Sequence, residues 1–400
     1  MYSNSCVVGL EVLQQNPNLA NGWGRVSLLS NQASLTKKLE PSWEVLSKIL
    51  GKKFVSLMGP QHGLESCVQD NMLETDHSVH HVLNIPVYSL YSKTREPTEE
   101  MLSNVDTIVI DLQLTGCRVY TFKYTIAACL RVAKKYNKKV VVLDRANPLG
   151  GRWVEGNTLE KEMKSFVGEF EIPMRYALTA AEITKFFNQT IEADLEVIPL
   201  KNWDHTTWKR SQDRQWIYTS PNIPSLESMY PYCGMVLFEG CSISEGRGTT
   251  LPFQLIGSSN INEKAVDKII STIYQNMDHS SFILRPTCFQ PTFNKFQGKV
   301  CYGFQIIVID PDSFPSYKLG LMSLKAFMDE DPNFGWKQPP YEYNYDILPV
   351  KLITGKSDII EALTKKDFCI SDSIWSKGID DYIQQANKVL LYARDLVSIK

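Results

Sequence analysis

The chain has 400 residues, 43% of them hydrophobic and 22% charged, with a formal net charge of -2. That is a globular composition, and the length predicts two domains or subdomains, because a single apolar core stops growing at about 250–300 residues. With 42 basic against 44 acidic residues and no long run of Lys or Arg, nucleic acid and anionic membrane are excluded as expected partners.

The N-terminal stretch from Met1 to Gly9 carries neither a basic n-region nor an apolar h-region, and no apolar run approaches the ~20 residues that span a bilayer. The chain as it stands reads as cytoplasmic, or as exported if a signal peptide has been removed. Strands are predicted at Arg25–Leu29, Lys53–Met58, Pro86–Leu90, Thr107–Asp111 and Lys139–Asp144. The last two are near-continuous Val/Ile/Leu runs, the mark of strands buried on both faces. Helical spacing falls between them, at Glu44–Leu50, after Pro97-Thr98-Glu99-Glu100, and over Tyr124–Tyr136. Thr179–Asn188 is a further helix and Leu195–Pro199 a further strand. Strand–helix alternation predicts an α/β fold with a mostly parallel sheet and helices on both faces.

Asn202 to Thr250 is rich in Trp, Pro, Ser, Gly and Asn and lacks periodicity, which predicts long functional loops. Beyond it, Val300–Ile309 reads as a strand, and Tyr317–Met328, Ser357–Thr364 and Ile379–Leu396 as helices. The expected division is residues 1–260 as the sheet domain and 261–400 as a smaller α/β domain. The nine cysteines are odd in number and form no Cys-x-x-Cys pair. Buried free thiols in a reducing compartment are expected, rather than a zinc knuckle or a disulfide framework.

In parallel sheets ligands sit beyond the carboxyl ends of the strands. Those ends carry Asn31, then Gly59-Pro60-Gln61-His62-Gly63, then Tyr91 and Ser92, then Asp111 with Arg118 and Tyr120 downstream, then Asp144, Arg145 and Asn147. Singly, an Asp or Asn there also serves as a turn or helix cap. Together they describe a polar cleft. No GxGxxG, P-loop or GxSxG pattern occurs, so dinucleotide, nucleotide and α/β-hydrolase sites are not expected. His77, His80 and His81 cluster without zinc-ligand spacing, so no metal site is expected.

Phe238 to Thr250 is the densest polar segment. Glu245 and Arg247 are spaced to pair, which would depress the carboxyl, while Glu239, next to Val236-Leu237-Phe238, could be raised as a general acid requires. A Gly-rich turn with a structural ion pair is the alternative. Ser220-Pro221-Asn222-Ile223-Pro224 is a rigid loop that follows Trp216 and Tyr218, which offer a sugar-stacking face; it too could be a plain turn.

These segments, with Gly9-Leu10-Glu11, Leu29-Ser30-Asn31-Gln32, Val87-Tyr88-Ser89-Leu90-Tyr91, Leu143 to Gly151 and Ser244 to Thr250, resemble a bacterial family once known only as a domain of unknown function and typified by exo-β-N-acetylmuramidases. The resemblance runs from about Gly9 to near the C-terminus. It implies a Rossmann-like domain plus a smaller C-terminal domain with the cleft between them, and enzymes that release terminal N-acetylmuramic acid from peptidoglycan fragments. It implies no metal or nucleotide cofactor. On this reading Glu245, Glu239, Gln61 and His62 are the candidate catalytic positions. Asn31, Tyr91, Asp111, Arg118, Tyr120, Asp144, Arg145, Asn147, Ser220, Asn222, Arg247 and Thr249 are the candidate sugar-binding positions. Among these His62, Arg118, Arg145 and Asn147 would hold the sugar and its lactyl carboxylate.

The chain departs from the family pattern in three places. Gln61 stands where the pattern Gly-Pro-Glu-His-Gly has its favoured catalytic Glu. Leu114 replaces the Asp of Asp-Ile-Gln-Asp, and Tyr176 replaces a His. A Gln cannot move a proton as an acid or base, a loss worth about 10²–10⁴-fold. Three outcomes are open: another carboxylate (Glu245, Glu239 or Glu65) has taken over, the sugar's acetamido group acts as nucleophile, or the cleft binds a muropeptide or related glycan without turnover.

Overall fold

A computed structural model describes residues 5–69, 72–208, 214–365, 368–370 and 373–399. In chain order its strands are β1 (Val26–Ser30), β2 (Phe54–Gly59), β3 (Ser78–Val79), β4 (Pro86–Ser89), β5 (Thr107–Asp111), β6 (Lys139–Leu143), β7 (Trp153–Val154), β8 (Leu195–Ile198), β9 (Leu255–Ser258), β10 (Phe282–Phe289), β11 (Cys301–Val308) and β12 (Val397–Ser398). Seven of them form one sheet in the order β3-β4-β2-β1-β5-β6-β8, parallel except where β3 runs against β4. β1 and β5 are buried along their whole length, as unbroken apolar runs require in a sheet covered on both faces.

The covering helices follow from local sequence. Phe122–Lys135 and Ala180–Ile191 pack on one face. The second of these starts in a capping box, where the Thr179 side chain accepts from Glu182 N–H and Glu182 returns a bond to Thr179 N–H. Gly9–Gln15 and Ser42–Leu50 cover the other face. Gly9 lies so close to the sheet that a Cβ there would sit 2.4 Å from Asp144 N, so only glycine fits.

The second module is built on an antiparallel sheet, β10-β11-β9, with helices Glu263–Asn276 and Ser316–Glu330 packed against it. The molecule is thus a two-domain α/β fold, with a large mostly parallel sheet and a smaller second domain. Three expectations need correction. Asn202–Thr250 is not loop throughout, since it contains short helical turns at Leu226–Met229, Tyr232–Met235 and Val236–Gly240. The last helix ends at Ala386 instead of running to Leu396. Beyond it Tyr392 and Arg394 turn back to buried acids of the first domain, Asp144 and Glu182, and a continued helix would carry them away. Cys67, Cys288 and Cys369 are exposed, whereas the other six thiols are buried.

Candidate active site

The sheet order reverses direction at β1, with β2 on one side and β5 on the other. Such a switch point opens a crevice at the carboxyl ends of the strands. Here Gln61 and His62, after β2, face Tyr120, Thr121 and Phe122, after β5. The far wall is supplied by Ser220 and Asn222, by Tyr232, Glu239, Arg247 and Phe253, and by Tyr341 and Glu342. The cleft holds about 440 Å³, counting the part open to solvent.

The chain departs from its regular geometry to present the polar groups. His62 has φ 70°, a left-handed conformation uncommon for a side chain of its size. Its Nδ1–H donates to Val68 O at 2.6 Å, which leaves Nε2 to accept from the Ser220 hydroxyl at 3.3 Å. Burial, reinforced by the nearby Arg247 charge, pushes the His62 imidazole down to about 4, so it stands neutral. Asn31, at the end of β1, donates to Thr219 O and steadies the Ser220 loop from behind. Asn222 in turn donates to Gln69 O.

Gly246 and Gly248 have φ of 79° and 82°, and a Cβ on either would meet backbone oxygens, Leu255 O at 2.8 Å and Phe293 O at 2.4 Å respectively. Between them Arg247 is pinned at the cleft, paired with Glu239 at 2.8 Å and Glu245 at 3.4 Å. Glu245 does not line the cleft; it is buried behind Arg247 and also paired with Lys295 at 2.7 Å. Burial pushes the Glu245 carboxyl up, but Lys295 and Arg247 outweigh it and hold the group ionised. Glu239 lines the cleft and accepts from the Tyr341 hydroxyl at 2.7 Å. Among the described residues Arg247 is the only Lys or Arg on the cleft wall, and its buried Nε has no hydrogen-bond partner.

Glu342 is the group that sequence reasoning missed. Gln61 Nε2 donates to its Oε1 at 3.2 Å and the Tyr91 hydroxyl donates to its Oε2 at 2.9 Å. The Thr121 hydroxyl donates to Gln61 Oε1 at 2.6 Å, which fixes the amide with its nitrogen toward Glu342. Burial raises the Glu342 carboxyl, with the nearby Glu239 charge adding to the rise against the Tyr91 and Gln61 hydrogen bonds. The residue sits in the turn Tyr341-Glu342-Tyr343-Asn344, closed by Tyr341 N–H to Asn344 O and Asn344 N–H to Tyr341 O, both 2.9 Å. Both central residues are left-handed, at φ 42° and 65°, where Gly, Asn or Asp is the usual choice. The available signal was an aromatic-rich run with one acid, Tyr341-Glu342-Tyr343-Asn344-Tyr345, just after Pro339-Pro340.

Several candidate residues lie elsewhere. Asp111 and Arg145 form a buried bidentate pair, with Nε and Nη2 at 2.5 and 2.8 Å from the two carboxylate oxygens. Arg145 borders a separate recess beside Gln113 and Trp208. Arg118 is fully enclosed and donates to the carbonyls of Asn157, Ile172, Ile353 and Thr354. Asp144 accepts from Thr179, Ala181 N–H and Tyr392. Asn147 bonds Leu178 O and Leu149 N–H, and Thr249 closes its own turn onto Gly246 O. Trp216 packs edge-on against Trp208 at 5.3 Å, so the aromatic wall of the cleft comes instead from Tyr120, Phe122, Tyr232 and Phe253. Of the three departures from the family pattern, only Gln61 lines the cleft; Leu114 and Tyr176 are buried in the core.

Two family models cover the chain almost end to end. Residues 26–227 match the N-terminal part of the exo-β-N-acetylmuramidase NamZ, and residues 230–392 match its C-terminal part. The chain belongs to the NamZ family. It is 38% identical over 310 residues to the peptidoglycan β-N-acetylmuramidase NamZ of Bacillus subtilis, a match spanning 77% of this chain and 74% of that relative. A crystal structure of a DUF1343 family protein from Bacteroides fragilis superposes with a TM-score of 0.86 at 27% identity, covering 97% of this chain and 99% of the other. A second from the same organism gives 0.74 at 22% identity, over 98% and 100%, a likeness of fold alone. The recognised relationship and the two-domain α/β architecture are thereby established. The relative for which that family is named is an exo-β-N-acetylmuramidase. No helix among the described residues is long and apolar enough to cross a membrane.

Proposed function

We propose that this chain is an exo-acting β-N-acetylmuramidase, cleaving one terminal N-acetylmuramic acid from peptidoglycan fragments. The observation that carries this reading is Arg247, among the described residues the sole cationic side chain on the wall of a cleft that also holds the carboxyls of Glu239 and Glu342. Muramic acid differs from glucosamine by its lactyl carboxylate, and a guanidinium on the cleft wall is the group best suited to read it. The roles follow the geometry. Arg247 takes the lactyl carboxylate, and Tyr120, Phe122 and Phe253 supply apolar surface for the sugar face. Ser220 and Asn222, with His62 behind them, form the polar rim, and Asn31 positions that loop. Asp111, Arg145, Arg118, Asp144, Asn147, Glu245 and Thr249 hold the scaffold. Each makes hydrogen bonds inside the protein and none lines the cleft.

Gln61 motivates a second reading, in which the cleft binds a muropeptide or related glycan without cleaving it. Release of nitrophenol from para-nitrophenyl N-acetylmuramide between pH 5 and 8 separates the two. Turnover at least about 10²-fold faster than on the N-acetylglucosaminide is expected, a floor below the ~10⁴–10⁵-fold by which a site built to bond a group rejects a competitor that lacks it. Binding of N-acetylmuramic acid without any release would favour the second reading, and neither signal would exclude both.

A further inference from the structure

We propose that Glu342 is the catalytic proton donor of this cleft, supplying from the second domain the acid that position 61 no longer provides. The assignment rests on the muramidase reading above.

Tyr91 oxygen already accepts from Met72 N–H at 3.1 Å and from Gln61 Nε2 at 3.2 Å, so its own proton is directed to Glu342. Each Glu342 oxygen therefore takes one bond from the protein and keeps one lone-pair direction for a proton or a substrate. Gln61, held by Thr121, becomes a donor that orients this carboxyl. A Glu at position 61 would instead set two carboxyls about 3 Å apart, a dyad that shares one proton. Among the described residues Glu342 is also the cleft carboxyl without an ion pair. Glu239 is neutralised by Arg247 and bonded by Tyr341, and Glu245 is locked behind both. Burial favours the protonated form of Glu342, the form a general acid needs before it acts. The turn that carries it places Glu342 and Tyr343 in left-handed backbone, and strain of that kind concentrates at functional sites.

The step balances as follows. The Glu342 carboxyl proton passes to the glycosidic oxygen as the C1–O bond breaks, and the bonding pair leaves with that oxygen. The sugar's acetamido oxygen closes onto C1, giving a cyclic oxazolinium ion and a Glu342 carboxylate. Water then adds to C1, the ring reopens to the acetamide, and the water's proton returns to Glu342. The net change is hydrolysis.

The test compares wild type with Glu342→Gln on two muramides, one with a poor alkyl leaving group and one with 2,4-dinitrophenolate, which departs unprotonated. N-acetylmuramic acid binding is followed by calorimetry alongside. Expected is a loss in kcat of about 10²–10⁴-fold on the alkyl glycoside, a loss under about 10-fold on the dinitrophenyl glycoside, and near-unchanged binding. The wild-type alkaline limb should also vanish in the variant. Equal losses on both substrates, or no loss, would overturn the assignment and leave the muramidase reading standing. Wild-type binding without turnover overturns the muramidase reading, and Glu342 as its acid with it, in favour of the binding reading, whereas absence of both binding and turnover excludes both readings. Should Glu342→Gln fail to fold, Tyr91→Phe gives a second readout. Losing a hydrogen bond that favours the ionised carboxyl moves the alkaline limb upward, and an unmoved limb contradicts the proposal.

Discussion

Two arginine–carboxylate pairs in this molecule have nearly the same chemistry and opposite surroundings. Arg145 gives Nε and Nη2 to Asp111 and a further bond to Leu35 O, so the pair is closed on itself. Arg247 binds Glu239 and Glu245 through its two Nη atoms and lines the cleft, with its buried Nε unmatched. What separates the two is place: Arg247 lines the cleft and Arg145 does not, which the residue types alone do not reveal.

The contrast can be broken first at its closed end. Asp111→Ala strands a buried guanidinium and should cost about 3–5 kcal/mol of stability, read by chemical denaturation, while KM for a muramide stays unchanged in the folded fraction. A KM effect there would place Arg145 in the site. At the open end, Arg247→Met should lower kcat/KM on a muramide about 10²–10³-fold, in line with the ~2–5 kcal/mol lost when one partner of a buried charge pair is truncated. The matching glucosaminide should be far less affected, and equal losses on both would remove Arg247 from lactyl recognition.

His62 sharpens the comparison through pH. Its imidazole is held down at about 4 in the folded protein, against an ordinary value near 6.5. Between those values the unfolded chain binds the proton and the folded one does not. Stability is therefore complete above about pH 6.5 and falls on acidification to about pH 4, by roughly 3 kcal/mol. Denaturation of His62→Gln across that window should show a shallower acid loss. The smallest expected effect is at Gln61→Glu, where a second carboxyl beside Glu342 moves the alkaline limb of activity upward, by about 1 pH unit or more for like charges in contact. A limb that stays in place would mean that positions 61 and 342 do not titrate together.

Much of the fold was legible because its signals are local. β5 and β6 announce themselves as unbroken apolar runs, and Thr179 with Glu182 spells a capping box. The cleft was legible only in part. Gln61, His62, Tyr120, Ser220, Asn222, Glu239 and Arg247 were named and do line it. Tyr91 reaches it through Glu342. Arg118 and Asp144 sit on equally polar segments, yet carbonyls and hydroxyls from distant parts of the chain consume their bonds. Glu342 escaped notice because its place depends on the second domain folding back over β2. A pairing between residues 61 and 342 leaves no periodic trace in either segment.

The most direct test of the central claim is a crystal structure with N-acetylmuramic acid bound. The lactyl carboxylate is expected within hydrogen-bond distance of Arg247, with the anomeric oxygen facing Glu342. A sugar seated in the recess beside Arg145, or one with its lactyl group turned away from Arg247, would contradict it.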